Sequence, residues 1–495
     1  MSTVADAVTA RSERRRAPGI DTLVVGAGAV VIALLFVVTT PAALHWFILP
    51  VTACAVLVGG EAIRWLRGRL GAFDPAGLIG VLGLYVFFFA PLLHVSRDYW
   101  MQFVQAPPDW RDWLGAMAIL NCTGLIMYRV GRAWIAGNAS HSLRRSREVD
   151  PQRLWVMLPL AMAATAIVQY WVYSRYGGIA GFVEAFETTS EPFRGMGFIF
   201  LFSESFPILA FFAFALLANR HEKLSSWWVL ALVLLVFFML KILFGGLRGS
   251  RSHTIYGLFW ALGIIHLWIR PLPRRAMVAG IPLLAAFMFG YGFYKAAGLE
   301  GLTAIADPPR AAEIARNSGR TLDFTLLNDL GRADVQAFLL YRIQTGAAED
   351  LAWGRTYVGG VTILIPRSVY PNRPPTKMKE GTDITHGPGL YESGFISTRV
   401  YGLAGEALLN VGAAGVPLAF LLWGVMVGVI RRAYYGMASS DVRRLMLPLW
   451  VNAAVIALIS DSDNIVFFLV KEASVPMLVL LLCSRSVLRD RPAEE

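Results

Sequence analysis

Apolar residues fall along this chain in long blocks separated by polar connections. Twelve blocks are each close to the length that an α-helix needs to cross a bilayer, about 20 residues. They lie near 22–40, 44–63, 77–94, 113–134, 153–174, 196–218, 226–244, 252–269, 276–296, 402–430, 443–460 and 464–484. The pattern predicts an all-α integral membrane protein with about twelve transmembrane helices.

One polar connection is much longer than the others and divides the chain. The predicted parts are a basic N-terminus at 1–21, helices 1–9 at 22–297, a long loop at 298–401, helices 10–12 at 402–485 and a tail at 486–495. In the first half of the loop, Thr321 to Ile343 has apolar residues at helical spacing, which predicts one or two helices along the membrane surface. The second half is rich in Pro and Gly, which predicts irregular structure.

The composition of the chain indicates that these helices lie in a membrane. Of the 495 residues 56% are hydrophobic, and the mean hydropathy is +0.54. A soluble protein, whose surface must be polar, does not reach these values. Three cysteines, all in apolar segments, support neither a disulfide framework nor a thiolate metal site.

The distribution of the net charge of +11 indicates how the chain is oriented in the membrane, and it does not indicate nucleic-acid binding. With a cytoplasmic N-terminus, the cytoplasmic segments hold 25 Lys and Arg residues, and the short opposite loops hold 6. Both termini are therefore expected in the cytoplasm, and the long loop outside it. The first block follows a basic stretch and lacks a small-residue cleavage site, so we interpret it as a retained helix and not as a signal peptide.

The long loop carries a run of cations. Between Leu351 and Lys379 there are five cations and no acid: Arg355, Arg367, Arg373, Lys377 and Lys379. Such a run beside a membrane can hold an anion. It can equally be a basic loop that contacts anionic lipid head groups, and composition favours neither.

The turn Gly245–His253 (GGLRGSRSH) holds Arg248 and Arg251 between predicted spans seven and eight. Two guanidiniums at a helix junction can bind phosphate oxygens bidentately, and the glycines allow close approach. The alternative is a pair of arginines that reach for lipid head groups. Cations are otherwise sparse in the short outer loops, which favours the anion site.

Ionisable residues near the outer helix ends could supply a base for proton abstraction. They are His253, His386, Glu392, Arg399, Glu406, Asp461 and Asp463. Glu406 falls within an apolar helix, where an unpaired carboxylate is costly, so a functional or charge-pairing role is expected there. For His386, the sequence slightly favours an ordinary surface residue.

Two further groups carry weaker signals. Tyr176 and Glu187, on the outer loop after span five, could line a sugar subsite, although the sequence chemistry alone favours a plain connecting helix there. Five charged residues in or beside the spans keep a transporter open as an alternative: Glu204, Lys241, Lys295, Lys471 and Glu472.

The late loop resembles a known family. Ile365 to Lys377 (IPRSVYPNRPPTK) is similar to the "I-P-R … W-P … K-P" segment of bacterial Wzy-type O-antigen polymerases. Gly394-Phe395, followed by Gly405-Glu406, Asn410, Gly412 and Gly415, resembles that family's entry to a late helix. The same family is also resembled by two earlier segments, the Tyr-Gly-Gly stretch at 176–178 and the Arg-Gly-Ser-Arg turn at 248–251. Tyr370 stands where Trp is common, and Arg373-Pro replaces Lys-Pro.

The resemblance implies a membrane glycosyltransferase of GT-C architecture in the bacterial inner membrane. It would transfer a growing glycan from its undecaprenyl-diphosphate carrier to a hydroxyl of the next lipid-linked repeat unit, without metal or cofactor. The diphosphate would be bound by cations from the turn and from the loop: Arg248, Arg251, Arg367, Arg373, Lys377 and Arg399. Glu406, Glu392 and His386, in that order, are the candidate bases. Tyr176, Glu187, His253 and Asn410 are the candidate sugar-binding residues.

The family also implies a chain-length regulator and a flippase as partners, and an O-antigen, capsule or exopolysaccharide as product. Two alternatives stay open. One is an O-antigen ligase-like transferase, which would depend on the loop histidine His386. The other is a transporter or flippase of lipid-linked oligosaccharides, which would need polar residues in the middle of many spans.

Overall fold

A computed structural model describes residues 19–137, 145–188, 196–248, 251–319, 321–346 and 350–488. About 76% of the described residues are helical. Within the described ranges, ten helices are long and apolar enough to cross a membrane. The chain thus has the make-up of an all-α, multi-pass membrane protein, as the hydropathy pattern predicts.

The elements of the first half alternate long apolar helices with short connections. In chain order they are α1 (Gly19–Thr39), α2 (Ile48–Leu66), α3 (Pro75–Leu84), α4 (Ala90–Ser96), α5 (Trp110–Gly137), β1 (Arg145–Val149), α6 (Pro151–Arg175), α7 (Ile179–Thr188), α8 (Gly197–Ser203), α9 (Phe206–Ala218), α10 (Trp227–Leu243) and α11 (Arg251–Ile264). A π-helical turn at Tyr85–Phe89 joins α3 to α4.

The second half contains the long loop and the last apolar helices. Its elements are α12 (Arg274–Ala304), α13 (Pro308–Ser318), a π-helix (Phe324–Leu330), α14 (Ala333–Gln344), α15 (Arg355–Thr362), α16 (Lys377–His386), α17 (Gly402–Val411), α18 (Gly415–Gly436), α19 (Leu447–Ile456), α20 (Ser462–Leu482) and β2 (Ser484–Leu488).

The helices coincide with the twelve predicted blocks, but their lengths differ. Helices α10 and α19 are shorter than the other candidate spans. The tenth block consists of two helices, because the backbone after α17 turns at Gly412, whose φ is +68°. A residue with a Cβ rarely adopts that conformation, so glycine separates the short helix that carries Glu406 from α18.

The chain forms two compact units. The first comprises Met1–Asn138, Leu322–Arg431 and Ala454–Val466, and the second comprises Ala139–Thr321, Arg432–Ala453 and Phe467–Glu495. The first unit thus contains α1–α5, most of the long loop, α17 and most of α18.

Within the first unit, small residues let helices approach closely. A Cβ added at Gly80 of α3 would lie 2.6 Å from the backbone nitrogen of Ala62 in α2. Close backbone approach of this kind is typical of membrane helices, whose association depends on packing and not on the hydrophobic effect. Asp74 begins α3 by accepting a hydrogen bond from the Ala76 N–H at 2.9 Å, with Pro75 at the first helical position.

The long loop contains helices in both of its halves. Helix α14 lies in the stretch Thr321 to Ile343, where helices are predicted, and it is buried from Ala333 to Leu340, including the polar residues Asp334 and Gln336. It packs against α5 and α17. The Pro- and Gly-rich half contains two ordered helices, α15 and α16, between irregular segments.

The second unit contains α6–α13 and most of α20. Its two strands pair antiparallel, with Arg145 opposite Leu488 and Val149 opposite Ser484. Trp260 of α11 is fully buried, and its ring lies edge-on to Phe212 of α9, with the centroids 5.8 Å apart. This contact is part of the apolar core of the unit.

Candidate functional site

The stretch Gly354–Gly415 is fully described and lies in the first unit. In order it forms α15, an irregular segment at 363–376, α16, a second irregular segment at 387–401, and α17. The short connection Asp461-Ser462-Asp463, before and at the start of α20, contacts three of these parts. We call this tripeptide the DSD connection.

Lys377, the first residue of α16, forms a buried ion pair with the DSD connection. Its side chain is only 4% exposed, and Nζ contacts the Asp461 carboxylate and lies 3.4 Å from Oδ1 of Asp463. Oδ1 of Asp461 also accepts hydrogen bonds from the N–H groups of Tyr401 (3.0 Å) and Gly402 (2.7 Å). Burial raises the pKa of Asp461, and the Lys377 ammonium opposes that rise. Asp461 therefore joins the start of α16 to the start of α17.

Glu406 forms a second connection to the same tripeptide. Its carboxylate accepts hydrogen bonds from the Thr356 hydroxyl (2.9 Å), the Ser462 hydroxyl (2.5 Å) and the Ser462 N–H (2.6 Å). Thr356 belongs to α15 and Glu406 to α17. Glu406 thus holds α15, α17 and the DSD connection together, using three neutral donors.

Asn410, predicted to bind sugar, is fully buried beside Glu406. Its amide nitrogen donates to the Thr356 hydroxyl at 2.6 Å, and its amide oxygen accepts from the Gly354 N–H at 2.9 Å. These bonds fix the start of α15, so the geometry gives Asn410 a role in holding the loop.

The arginines of the loop differ in what they contact. Arg373 donates to the carbonyl oxygens of Ile363 (2.5 Å) and Ile365 (2.8 Å), which closes the irregular segment on itself. Arg399 donates to the carbonyl oxygen of Gln102. Arg367 is exposed, and the described part of the chain gives it no ion-pair partner.

Two candidate bases lie in the second irregular segment or beside it. Glu392 is exposed and pairs with Lys379 at 2.6 Å, and this hydrogen bond raises the pKa of Lys379. The His386 ring lies edge-on to Phe395, with the centroids 5.0 Å apart. Burial, and to a lesser extent the charge of Arg399, lowers the pKa of His386.

The second unit contains the other predicted site residues. The side chains of Arg248 and Glu187 lie outside the described residues. Arg251 begins α11. Tyr176 packs on Phe182 with ring centroids 5.6 Å apart, and its hydroxyl lies 3.2 Å from the Met196 sulfur. The structure thus gives Tyr176 a place in an apolar cluster.

His253 belongs to a buried ionic network in the second unit. Its Nδ1 contacts the Glu472 carboxylate, and its Nε2 lies 3.5 Å from Glu204. The other Glu472 oxygen is 3.0 Å from Lys241 Nζ, and Lys471 pairs with Glu204. All five side chains are buried within apolar helices or at their ends. The network thus contains two lysines, two glutamates and one histidine.

The sequence did not predict the ion pairs and hydrogen bonds of either unit. Asp461 and Asp463 are among the candidate ionisable residues, but their partner Lys377 lies 84 positions before Asp461. Thr356 and Ser462 carry no recognisable motif. An acidic pair in the short connection between two apolar blocks, together with a cationic loop, is the signal that could have suggested the pairing.

The described residues contain no group of three or more His, Cys, Asp or Glu side chains that could hold a metal ion. Neither a protein-family model, nor a curated protein, nor a solved structure matches the chain.

Proposed function

We propose that the chain is a membrane glycosyltransferase that polymerises undecaprenyl-diphosphate-linked oligosaccharide repeat units on the extracytoplasmic face of the bacterial inner membrane. The resemblance of the Ile365–Lys377 segment to repeat-unit polymerases motivates the proposal. The observation that carries it is the exposure of the Arg367 side chain. In this segment Arg373 and Lys377 are bound internally, whereas Arg367 is exposed, with no ion-pair partner in the described residues.

Arg367 would bind the diphosphate of the donor. A guanidinium offers two parallel N–H groups that match phosphate oxygens, and its charge persists at any physiological pH. In the reaction, the acceptor hydroxyl oxygen bonds to the anomeric carbon of the donor sugar, and the bond from that carbon to the diphosphate oxygen breaks. Negative charge develops on the leaving diphosphate, and a fixed cation stabilises it.

The remaining residues of the site would hold this arginine in position. Arg373 donates hydrogen bonds to carbonyl oxygens of the segment that contains Arg367. Lys377, which follows this segment, pairs with Asp461. Glu406 has all its contacts with neutral donors of the scaffold, so we assign it a positioning role. Glu392 and His386 are the more accessible candidates for accepting the hydroxyl proton.

The test is a polymerisation assay with purified protein and lipid-linked repeat units, with product length measured on a gel. We expect Arg367→Ala to lower the rate by about 10²–10³-fold, the loss typical of removing one donor that stabilises developing charge. Arg367→Lys should retain part of the rate. Arg97→Ala removes an exposed arginine of the same unit and serves as the control. Wild-type polymer lengths and rates from Arg367→Ala would refute the proposed role of Arg367.

A second candidate function, transport of lipid-linked oligosaccharides, is favoured by the buried network in the second unit. Ionisable residues inside membrane helices commonly mark a transport pathway. Proteoliposomes loaded with a fluorescent lipid-linked oligosaccharide distinguish the two functions. A transporter would move the substrate between leaflets and would lose this activity in Glu472→Gln. It would not lengthen the glycan. A polymerase would lengthen the glycan without net movement between leaflets.

A further inference from the structure

Helix α15 has its polarity reversed relative to a helix on the surface of a soluble protein. Its buried positions are Thr356, Gly359 and Gly360. The Thr356 hydroxyl donates to Glu406, and the two glycines lie against the backbone oxygen of Pro375 and the side chain of Ser462. The small and polar residues of the helix therefore face the protein.

The opposite side of the helix is apolar and exposed. Exposed apolar residues also precede and follow the helix in the chain. Trp353 is 73% exposed, Val361 63% and Val369 74%. We call these residues, together with those between them that are also exposed, the α15 apolar face: Trp353, Tyr357, Val358, Val361, Ile365 and Val369.

The candidate spans of the same unit show the same pattern. Leu34 of α1 is 58% exposed and Leu422 of α18 is 62% exposed, as expected for side chains that face lipid. In water, a run of exposed apolar side chains of this kind marks a surface that another apolar phase covers. Because the chain is a membrane protein, the bilayer is the apolar phase next to it.

Charge complementarity favours the membrane as the partner. The stretch from Leu351 to Lys379 contains no acid. The exposed cation Arg367 lies within the apolar face. Arg355, at the start of the face, is 50% exposed and also pairs with Glu380 at 3.3 Å. Apolar side chains flanked by arginines are typical of elements that lie in the interface of membranes with anionic lipids.

We propose that the α15 apolar face inserts into the membrane interface, with its valines and Trp353 among the outer parts of the acyl chains. Arg355 and Arg367 then lie at the depth of the lipid phosphates. The inference does not depend on glycosyl transfer. If the proposed function is also correct, insertion brings Arg367 to the depth at which the diphosphate of a lipid-linked donor lies.

The experiment measures contact with lipid in the full-length protein in nanodiscs. The three native cysteines, Cys54, Cys122 and Cys483, are replaced, and a single cysteine at Val361→Cys is labelled with an environment-sensitive fluorophore. Lipids that carry a nitroxide on the acyl chain then quench the label if it lies in the bilayer. Leu422→Cys, on a candidate span, is the positive control, and the exposed loop residue Ser393→Cys is the negative control.

We expect quenching at Val361→Cys to approach that at Leu422→Cys, with a blue-shifted emission. We also expect stronger quenching in nanodiscs that contain phosphatidylglycerol than in phosphatidylcholine alone, and no such difference when Arg355 and Arg367 are both changed to Gln. Quenching no stronger than at Ser393→Cys, as when water or a protein covers the face, would overturn the inference. It would do so irrespective of whether Arg367→Ala affects polymerisation.

Discussion

Lys377 has a different environment from the other cations of the loop, because two carboxylates surround it and water is excluded. Changing it to Ala leaves the buried Asp461 without its counter-charge, although two backbone N–H groups still donate to it. Breaking a buried ion pair on one side typically costs about 3–5 kcal/mol. We therefore expect Lys377→Ala to lower the thermal unfolding midpoint of the purified protein strongly, which differential scanning fluorimetry measures.

Arg367→Ala is the matched control for this prediction. It removes an exposed cation from the same segment, and exposed substitutions usually change stability by less than about 0.5 kcal/mol. The two variants should thus separate stability from activity. If Lys377→Ala unfolded at the wild-type temperature, the Lys377–Asp461 pair would not be a structural bond of the loop.

The roles of these residues also show how far the sequence could be interpreted. It includes Arg367, Lys377 and Glu406 among its candidate site residues. It does not distinguish a cation available to a ligand from one that is already paired, because Lys377 and Asp461 are far apart in the chain. Such pairings arise only from tertiary structure.

At the scale of elements, Gly359 makes the close contact between α15 and the irregular segment possible. A Cβ at this position would lie 2.2 Å from the backbone oxygen of Pro375, which cannot move aside as a flexible side chain can. We expect Gly359→Ala to destabilise the protein by about 1–3 kcal/mol, the usual cost of overpacking. The unfolding midpoint, and protease sensitivity of the loop at 363–376, would report the loss.

Gly28→Ala in α1 is the control for this substitution. It lies in the same unit, and nothing is within 4 Å of its added Cβ. Because Ala favours helix over Gly, this change should be neutral or slightly stabilising. Equal effects of the two substitutions would contradict the close packing of α15.

The elements differ in how well the sequence predicts them. Long apolar blocks predict the spans, because a helix is the only local structure that satisfies its own backbone in lipid. The short helices α15 and α16 lie in a stretch whose Pro and Gly residues favour loops. Glu406 and Asn410 hold α15 through Thr356, and Asp461 holds α16 through Lys377. No local pattern reveals these contacts.

At the scale of the whole molecule, the orientation of the loop depends on α10. Among the described residues, eight candidate spans precede the long loop, and α10 would raise their number to nine. With a cytoplasmic N-terminus, the loop is extracytoplasmic only if α10 crosses the membrane. Its 17 residues lie at the lower limit for a spanning helix, and its length of about 25 Å is slightly less than the apolar thickness of about 30 Å.

We expect α10 to cross, because otherwise the charge asymmetry would be lost. The turn after it, with Arg248 and Arg251, carries few cations, and the loops expected in the cytoplasm carry many. In cells, a membrane-impermeant thiol reagent should label Ser393→Cys from outside, and it should label a cysteine at Ser225, before α10, only after the membrane is opened. The reverse pattern at Ser393→Cys would put the cationic loop in the cytoplasm and exclude an extracytoplasmic polymerase.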